Sequence, residues 1–559
     1  MKVKFSTKVF NKRGISTLLS GAIFLAFSAC NSQKKAEDDK RVFRYNQPEA
    51  LSSLDPAFAR NQANIRAITQ LYNGLLELDD SLKPAPAIAR SWEISADGLR
   101  YTFHLRQDVH FHDSPVFPNG KGRKVIAPDF VYSFNRILDP ATASTGAWIF
   151  NGKVLEKPKG IVSDTAFKAL NDSTLLVYLN EPFIAFTEIL SMPYAFVIPK
   201  EAVQQYGKDF REHPVGTGPF QFKMWDEGNA LVFHKNPNYW KKDKAGNQLP
   251  YLDAVHISFI TDKKMEFINF QQKKLDFLSG IKEGTRDIIL QPDGSLQPDF
   301  SGKFTVQKAP YLNTEYIGFQ LDQANLKTKP VSDKRVRQAL NYAINKKEMI
   351  RYYRNGLGIP GNSGMVPPSL PSFNDSIVKG YGFDPKKSRE LLKAAGYDAR
   401  NPFEIKLSTV AEHKELAEYF QKKWSDVGVK CEIEINQAPA HQEQVDNGRS
   451  AFFMKSWLGD YPDAENYLAL FYSKNFSPAG PNKTHFKNAR FDELYEKAKL
   501  EQNLQKRWKL YQEMDKIVVE ECPVIVLFYD EVLMLTQNNI EGLTANPMNT
   551  LKLETVKKR

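Results

Sequence analysis

Apolar residues recur at two spacings along the chain, which indicates a mixture of helices and strands. Spacings of three and four predict amphipathic helices, as over residues 65–75 and 336–344. Strict alternation of apolar and polar residues predicts half-buried strands, as over residues 99–106 and 429–435. Strands and helices alternate at intervals typical of βαβ units over residues 403–435. The pattern therefore predicts α/β domains.

The length of the chain sets the scale of this architecture. With 559 residues it is too long for one hydrophobic core, so we expect about two to four domains. Hydrophobic residues make up 42% and charged residues 25%, which is typical of a soluble globular protein. Beyond the N-terminal segment, no apolar run is long enough to span a bilayer.

The first 29 residues have the features of a secretory signal. Five basic residues and no acid precede a short apolar run, and two small residues precede Cys30. Phe27–Cys30 resembles a bacterial lipobox, which implies cleavage before Cys30 and a lipid on its thiol. The alternative is an ordinary cleaved signal with an incidental cysteine. We expect a signal peptide over residues 1–29 and a lipidated, flexible tether over residues 30–40.

Loss of this signal changes the charge balance. The full chain has a formal net charge of +11, and the mature chain, without the five basic residues of the signal, has +6. This mild surplus includes no Lys/Arg block interleaved with aromatic residues, so it does not indicate a nucleic-acid partner. The remaining cysteines, Cys431 and Cys522, could form one disulfide or stay free. Their positions in or beside apolar strands favour two buried thiols.

One stretch gathers acidic and aromatic residues at the end of a predicted strand. Residues 455–468 read K-S-W-L-G-D-Y-P-D-A-E-N-Y-L and follow an apolar run over residues 451–454. Pro462 fixes a turn, and three carboxylates lie among the rings, at Asp460, Asp463 and Glu465. Because rings exclude water and lower the local dielectric, a carboxylate in such a turn can bind a cationic ligand group. The alternative is a polar loop around a core tryptophan.

Catalytic and metal-binding signatures are weak. The sequence contains no G-x-S-x-G, H-E-x-x-H, P-loop or dinucleotide fingerprint. His104, His110 and His112 with Asp113 could suggest a metal site, but no other clustered histidine joins them, so a turn-capping role is favoured. We therefore expect a protein that is not an enzyme and that uses no metal or other cofactor. An envelope hydrolase is the alternative.

Six short segments, in their order and spacing, resemble the extracytoplasmic solute-binding proteins of family 5. These are the peptide-binding proteins that feed ABC importers. Each segment is weak alone, but together they cover almost all of the mature chain. The segments are L-D-P at Leu54–Pro56, V-H-F-H-D at Val109–Asp113, V-G-T-G-P-F at Val215–Phe220, N-P-N-Y-W at Asn236–Trp240, V-R-Q-A-L-N-Y-A-I-N-K at Val336–Lys346 and A-A-G-Y at Ala394–Tyr397.

The resemblance implies an α/β, type II periplasmic-binding-protein fold. Two lobes are joined by a hinge, an extra domain is inserted in the first lobe, and the ligand is buried between lobes that close. The chain crosses between the lobes and returns, so the domains are discontinuous. The implied division is lobe 1 from residues 41–75, 197–309 and 524–559, an inserted domain from residues 76–196, and lobe 2 from residues 310–523.

The resemblance also implies a ligand site. In the peptide binders, an Asp on the matching strand and turn holds the α-ammonium of the ligand, and this role transfers to Asp460. Trp457 becomes a pocket wall, and Asp463 could share or take the role because the acidic spacing differs from that of several members. The expected binding residues are Trp457, Gly459, Asp460, Tyr461 and Asp463 in the turn, with Tyr311, Asn313 and Thr314 along the hinge and groove.

The implied function is capture of short peptides and their delivery to an ABC-transporter permease. A receptor that tolerates many side chains must take its affinity from the peptide backbone and the end charges. Relatives that carry nickel chelates, haem or oligosaccharides leave non-peptide solutes as alternatives, and a scaffold without a ligand is a third. We expect a monomer in the bacterial cell envelope, periplasmic or outward-facing, held to the membrane by a lipid on Cys30.

Overall fold

The computed structural model of the protein describes residues 41–158, 160–183, 185–281, 283–322 and 329–559. The predicted signal peptide at residues 1–29, the tether at residues 30–40 and the lipidation of Cys30 lie outside these residues. In the described part of the chain, no helix is both long and apolar enough to cross a membrane.

An eleven-stranded sheet runs through both lobes. Lobe 1 and lobe 2 each contribute strands to one side of it, and two long strands form the middle. Ile359–Pro360 pairs with the long strand Val524–Thr536. The other strands, in spatial order, are Phe220–Asp226, Ala230–Lys235, Ala254–Ser258, Val42–Asn46, Phe277–Ser279, Val524–Thr536, Thr305–Phe319, Phe452–Leu458, Phe403–Val410 and Val429–Asn436.

The two long strands, Thr305–Phe319 and Val524–Thr536, connect the lobes. They pair antiparallel, with a register irregularity between Pro310 and Thr314. The C-terminal half of Val524–Thr536 packs in lobe 1, where Leu535 pairs with Leu278, whereas its first residues pack in the lobe 2 core. The two ends of this strand therefore pack in different cores, and the start of the last lobe 1 segment at residue 524 stays a prediction.

Lobe 1 packs helices against its half of the sheet. The segment V-G-T-G-P-F runs close beside the end of the first helix, because a Cβ added at Gly216 would lie 2.0 Å from the carbonyl oxygen of Leu71. The helices of this lobe are Gln62–Leu71, Lys200–Tyr206, Lys263–Gln271 and Glu283–Ile289, and a short C-terminal ladder pairs Ile540–Glu541 with Lys557–Lys558.

The inserted domain has its own four-stranded antiparallel sheet, covered by the helix Ala127–Leu138. Its core is continuous with that of lobe 1, and Arg136 pairs with Asp55 of lobe 1 at 2.6 Å, both side chains being nearly buried. The sheet strands, in spatial order, are Ala89–Ile94, Arg100–Leu105, Thr174–Tyr178 and Phe167–Asn171. The smaller elements are the strand pairs Leu76–Leu78 with Pro84–Pro86 and Glu156–Lys157 with Ile161–Val162, and the helix Phe186–Ile189.

Lobe 2 is the most helical region. Several of its helices begin at polar caps, as where Asp384 accepts the N–H of Lys387 at 2.9 Å. Cys431 and Cys522 are both buried and unbridged, as the strand pattern favoured. The helices are Lys329–Ser332, Lys334–Tyr342, Lys346–Tyr353, Pro385–Ala394, Lys414–Ser425, Ala438–Asp446, Glu465–Leu468, Ala489–Leu500 and Leu504–Glu521.

Candidate ligand-binding site

A cavity of about 820 Å³ lies where the two lobes and the inserted domain meet. Lobe 2 contributes the turn over residues 458–462, and lobe 1 contributes the start of the helix Gln62–Leu71. The inserted domain adds aromatic residues that include Trp148 and Tyr194. Pockets of roughly 300–1,000 Å³ are typical of small-ligand sites, so this cavity suits a short organic solute.

The turn that carries Asp460 is fixed by close backbone contacts. The strand Phe452–Leu458 pairs with the long strand Thr305–Phe319, and the Gly459 N–H donates to the carbonyl of Leu312 at 2.8 Å. The Tyr467 hydroxyl donates to the same carbonyl at 2.7 Å. A Cβ added at Gly459 would lie 2.7 Å from that hydroxyl oxygen, so glycine is required by space rather than by backbone angle.

Asn466 connects Trp457 with Asp460. Its side-chain oxygen accepts the Trp457 ring N–H at 2.9 Å and the Asp460 backbone N–H at 3.1 Å. Its amide nitrogen donates to Asp460 Oδ2 at 3.4 Å. The tryptophan therefore acts through Asn466 to position the carboxylate, and it does not itself line the cavity.

Asp460 is open to the cavity but surrounded by protein. Desolvation by these surroundings raises the pKa of its carboxyl group, while the Asn466 hydrogen bond and the charge of Lys153 lower it. No cation lies within ion-pair distance of Asp460 among the described residues. A partly desolvated carboxylate without a paired cation is suited to bind a positively charged ligand group.

The two neighbouring carboxylates are held inside the protein. Asp463 is buried, pairs with Arg507 at 3.2 Å and accepts the Tyr511 hydroxyl at 2.7 Å. Glu465 is also buried and accepts hydrogen bonds from the hydroxyls of Tyr461 and Tyr495. Burial, opposed by these two hydrogen bonds, raises the pKa of Glu465.

The opposite wall carries further charges. The Lys241 ammonium forms ion pairs with the carboxylates of Glu77, at 2.5 Å, and Glu554, at 3.0 Å. Glu188 is buried in the inserted domain, and burial followed by the charge of Asp463 raises the pKa of Glu188 to about 7. Arg60 lines the cavity and is exposed. Charged side chains therefore lie on both sides of the cavity, with more carboxylates than cations.

The structure brings four of the eight predicted residues to the cavity: Gly459, Asp460, Tyr461 and Tyr311. Trp457, Asp463, Asn313 and Thr314 do not line it. The Thr314 hydroxyl donates to the carbonyl of Met365 at 3.1 Å, and the Asn313 amide donates to Glu315 at 3.0 Å, so both stabilise the hinge strand instead.

Sequence reasoning missed the wall opposite the turn. Arg60, Trp148, Glu188 and Tyr194 all line the cavity, and none was predicted. Arg60 follows the L-D-P segment by four residues, which is the one local hint that it could lie near the site. The others come from the inserted domain, whose place against lobe 2 no local pattern encodes.

The histidines considered for a metal lie apart from the cavity. His112 is buried, with Nε2 3.0 Å from the carbonyl oxygen of Gly218 and Nδ1 accepting the Gly216 N–H at 3.3 Å. Burial lowers the pKa of His112 to about 4, so the ring is neutral and links the glycine segment to the inserted domain. Among the described residues, no three His, Cys, Asp or Glu side chains are grouped for a metal ion.

Two lobes joined by a pair of crossing strands, with an inserted domain and a cavity between them, define a bilobed binding protein. Residues 83–478 match the family described as bacterial extracellular solute-binding proteins, family 5. The chain therefore belongs to family 5 of the extracytoplasmic solute-binding proteins, which serve ABC importers. The resemblance and the α/β type II fold predicted from the sequence are confirmed.

Known relatives span nearly the whole chain. Heme-binding protein A of Haemophilus influenzae is 30% identical, over 95% of this chain and 97% of its own length. The dipeptide-binding protein of Escherichia coli is 27% identical, over 97% of this chain and 99% of its own. The solved structure of HbpA2 from Haemophilus parasuis has a TM-score of 0.79 at 24% identity, covering 93% of this chain and 99% of that one.

Proposed function

We propose that this solute-binding protein captures short peptides, with Asp460 binding the ligand's α-ammonium group. Gly459 and Tyr461 would shape the turn, Tyr311 would line the groove beside it, and Trp457 would act through Asn466. The observation that carries the proposal is a cavity-facing carboxylate, held by an amide and left without a paired cation. The likeness to a dipeptide-binding protein supports it.

Asp463 has no direct ligand role in this proposal. Its carboxylate is already engaged by Arg507 and Tyr511, and it lies behind the cavity wall. Asn313 and Thr314 are likewise proposed as hinge residues rather than ligand contacts.

Haem is the second candidate, because one relative of 30% identity is named a haem-binding protein. Haem has two propionate carboxylates and no ammonium group. The cavity, by contrast, is lined by more carboxylates than cations, and Asp460 among them has no paired cation. Like charges in a partly desolvated site repel, so this wall favours a cationic end over a second anion.

Calorimetry with free and N-acetylated forms of the dipeptide Ala-Phe tests the proposal. Acetylation removes the ammonium charge but keeps the backbone and side chains. We expect the acetylated form to bind at least about tenfold more weakly, because one partner of a desolvated charge pair is lost. Equal affinities would exclude an ammonium site. Mass spectrometry of ligand co-purified with the protein, with haem absorbance read in parallel, decides between the two candidates.

We further propose that the mature protein is a monomer, held in the bacterial envelope by a lipid on Cys30 and delivering its ligand to a permease, without enzymatic activity. The sequence around Cys30 supports the anchor. Metabolic labelling with a tagged fatty acid should mark the full-length protein and leave Cys30→Ser unlabelled. Label on both proteins would exclude this cysteine as the site.

A further inference from the structure

Lys153 occupies a position in the inserted domain that the backbone fixes on both sides. It follows Gly152, whose left-handed φ of 73° closes a turn. The Lys153 N–H donates to the carbonyl of Phe150 at 3.0 Å, and its own carbonyl accepts the N–H of Asn180 at 2.8 Å. The next residue, Val154, is fully buried. The lysine side chain therefore starts from a fixed place in the domain.

The ammonium group of Lys153 is held by a carbonyl and two aromatic rings. Nζ donates to the Trp148 carbonyl at 2.9 Å and lies over the rings of Trp148 and Phe183, 5.6 Å and 5.8 Å from their centroids. Among the residues that the structure describes, no carboxylate lies within ion-pair distance of this group. Burial lowers the pKa of Lys153, while the charges of Glu465 and Asp460 raise it. The charge is therefore fixed in place without a direct carboxylate partner.

The same two rings connect this cation with the ligand cavity. Trp148 lines the cavity on the side of the inserted domain. Phe183 packs edge-on against Tyr461, with ring centroids 6.3 Å apart, and Tyr461 follows Asp460 in the turn. Lys153 thus lies behind the wall that faces the turn, and its charge lowers the pKa of Asp460. A positive charge bound at Asp460 is therefore accommodated beside a second, fixed positive charge.

We propose that Lys153 is a specificity-determining residue that selects peptides whose first side chain carries no positive charge. The inference rests on the proposed function, because it takes Asp460 as the site of the ligand's ammonium group. The first side chain leaves from the carbon that carries this ammonium, so it starts beside Asp460. Once the ammonium has neutralised Asp460, a second positive charge on that side chain is repelled by Lys153. Rings that exclude water leave this repulsion poorly screened.

Most of the other carboxylates that line the cavity already have partners. Glu77 and Glu554 pair with Lys241, and Asp80 pairs with Lys552 at 3.3 Å. A carboxylate that already has a cation gains less from a second one, so these groups offer a basic side chain less than Asp460 offers the ammonium. The repulsion that arises at the turn therefore decides the preference.

Calorimetry of the dipeptides Ala-Phe and Lys-Phe on ligand-free protein tests this role. We expect the wild type to bind Lys-Phe about tenfold more weakly than Ala-Phe. Lys153→Gln removes the charge but keeps a donor for the Trp148 carbonyl, so it should bind both peptides more tightly and lose most of the preference. Lys153→Arg keeps the charge and should keep the preference. Lys157→Gln is the matched control: Lys157 is exposed, pairs with Asp164 in the same domain and should leave the preference unchanged.

The outcomes separate this inference from the proposed function. Equal affinity of the wild type for the two peptides, or tighter binding of Lys-Phe, would overturn the role of Lys153. A full wild-type preference in Lys153→Gln would overturn it as well. N-acetylation of Ala-Phe measures the ammonium site independently: if it still weakens binding in those cases, the role of Asp460 stands and only the inference on Lys153 fails. If no peptide binds, both proposals fail.

Discussion

Asp460 and Asp463 are three residues apart in one turn, yet the structure gives them opposite environments. Asp460 faces the cavity and is held by the amide of Asn466. Asp463 is buried and held by the guanidinium of Arg507 and the hydroxyl of Tyr511. The two carboxylates have the same chemistry, so the difference lies wholly in what other parts of the chain supply to each.

The comparison shows what makes a carboxylate available to a ligand. A buried acid that already has a cation contributes to the fold and has no free capacity for a ligand, whereas an acid without one retains its capacity. The same distinction applies to two cations that line the cavity. Lys552 forms an ion pair with Asp80, whereas Arg60 has no such partner among the described residues. We therefore expect substitutions at the two aspartates to have opposite consequences for stability and for binding.

Asp463→Asn should have the largest effect, and it should act on stability. The substitution leaves the buried guanidinium of Arg507 without its carboxylate, which typically costs about 3–5 kcal/mol. Urea unfolding of the ligand-free protein measures this loss in the free energy of unfolding. Asp460→Asn is the control, because it removes an unpaired charge and should change the unfolding free energy by less than about 1 kcal/mol. Equal losses in the two variants would contradict the division between a structural and a free carboxylate.

Asp460→Asn should instead weaken the binding of a free peptide by about 2–4 kcal/mol, because a desolvated ammonium loses its charged partner. The matched probe is the N-acetylated peptide, whose affinity should hardly change. Calorimetry of both ligands against wild type and variant gives the coupling between the carboxylate and the ammonium. A coupling near zero would show that the Asp460 carboxylate and the ligand ammonium do not interact.

Gly459→Ala should have a smaller effect, on the geometry of the turn. The new methyl group would lie 2.7 Å from the Tyr467 hydroxyl and 3.2 Å from its ring, so the turn or the ring must move. Overpacking of this kind typically costs about 1–3 kcal/mol. We expect both thermal stability and peptide affinity to fall. Adding Tyr467→Phe removes the nearest atom and should recover part of the loss, whereas no recovery would place the strain elsewhere.

Local patterns were sufficient for many elements of the fold. The predicted strand over residues 429–435 is observed at Val429–Asn436, because alternation along one strand is a local property. The crossing strands are different. Whether residues 524–529 belong to lobe 1 or lobe 2 depends on pairing with Thr305–Phe319, more than 200 residues earlier. Periodicity shows that a strand exists, but not which partner it finds.

The site shows the same limit. Gly459, Asp460 and Tyr461 could be predicted because one turn contains them all. The burial of Asp463 could not, because it depends on Arg507, which is 44 residues further along the chain. The wall opposite the turn, with Arg60 and Glu188, comes from two other regions of the fold. Sequence reasoning therefore found the chemistry on one side and could not distinguish the free carboxylate from the paired one.

Substitution of Glu188 should act only on the pH dependence of stability, because its carboxyl lies near Asp463 and Arg507 across the domain interface. Burial first, and the charge of Asp463 second, raise the pKa of Glu188 to about 7, while the Thr187 hydroxyl and Arg507 lower it. In the unfolded chain the pKa returns to its ordinary value near 4.5. Between these values the folded protein keeps a proton that the unfolded chain has lost, so this group makes stability fall as pH rises.

Glu188→Gln removes that contribution. As the pH rises from 5 to 8, the free energy of unfolding of the variant should increase relative to that of the wild type by about 1–3 kcal/mol. Melting temperatures of both ligand-free proteins at the two pH values measure the gain, and other buried acids cancel in the difference. Glu181→Gln is the matched control, since Glu181 is exposed and pairs with Lys499 across the same interface. If the wild-type and Glu188→Gln curves run parallel with pH, the buried carboxyl beside Asp463 does not titrate in this range, and the contrast between paired and free acids loses its electrostatic basis.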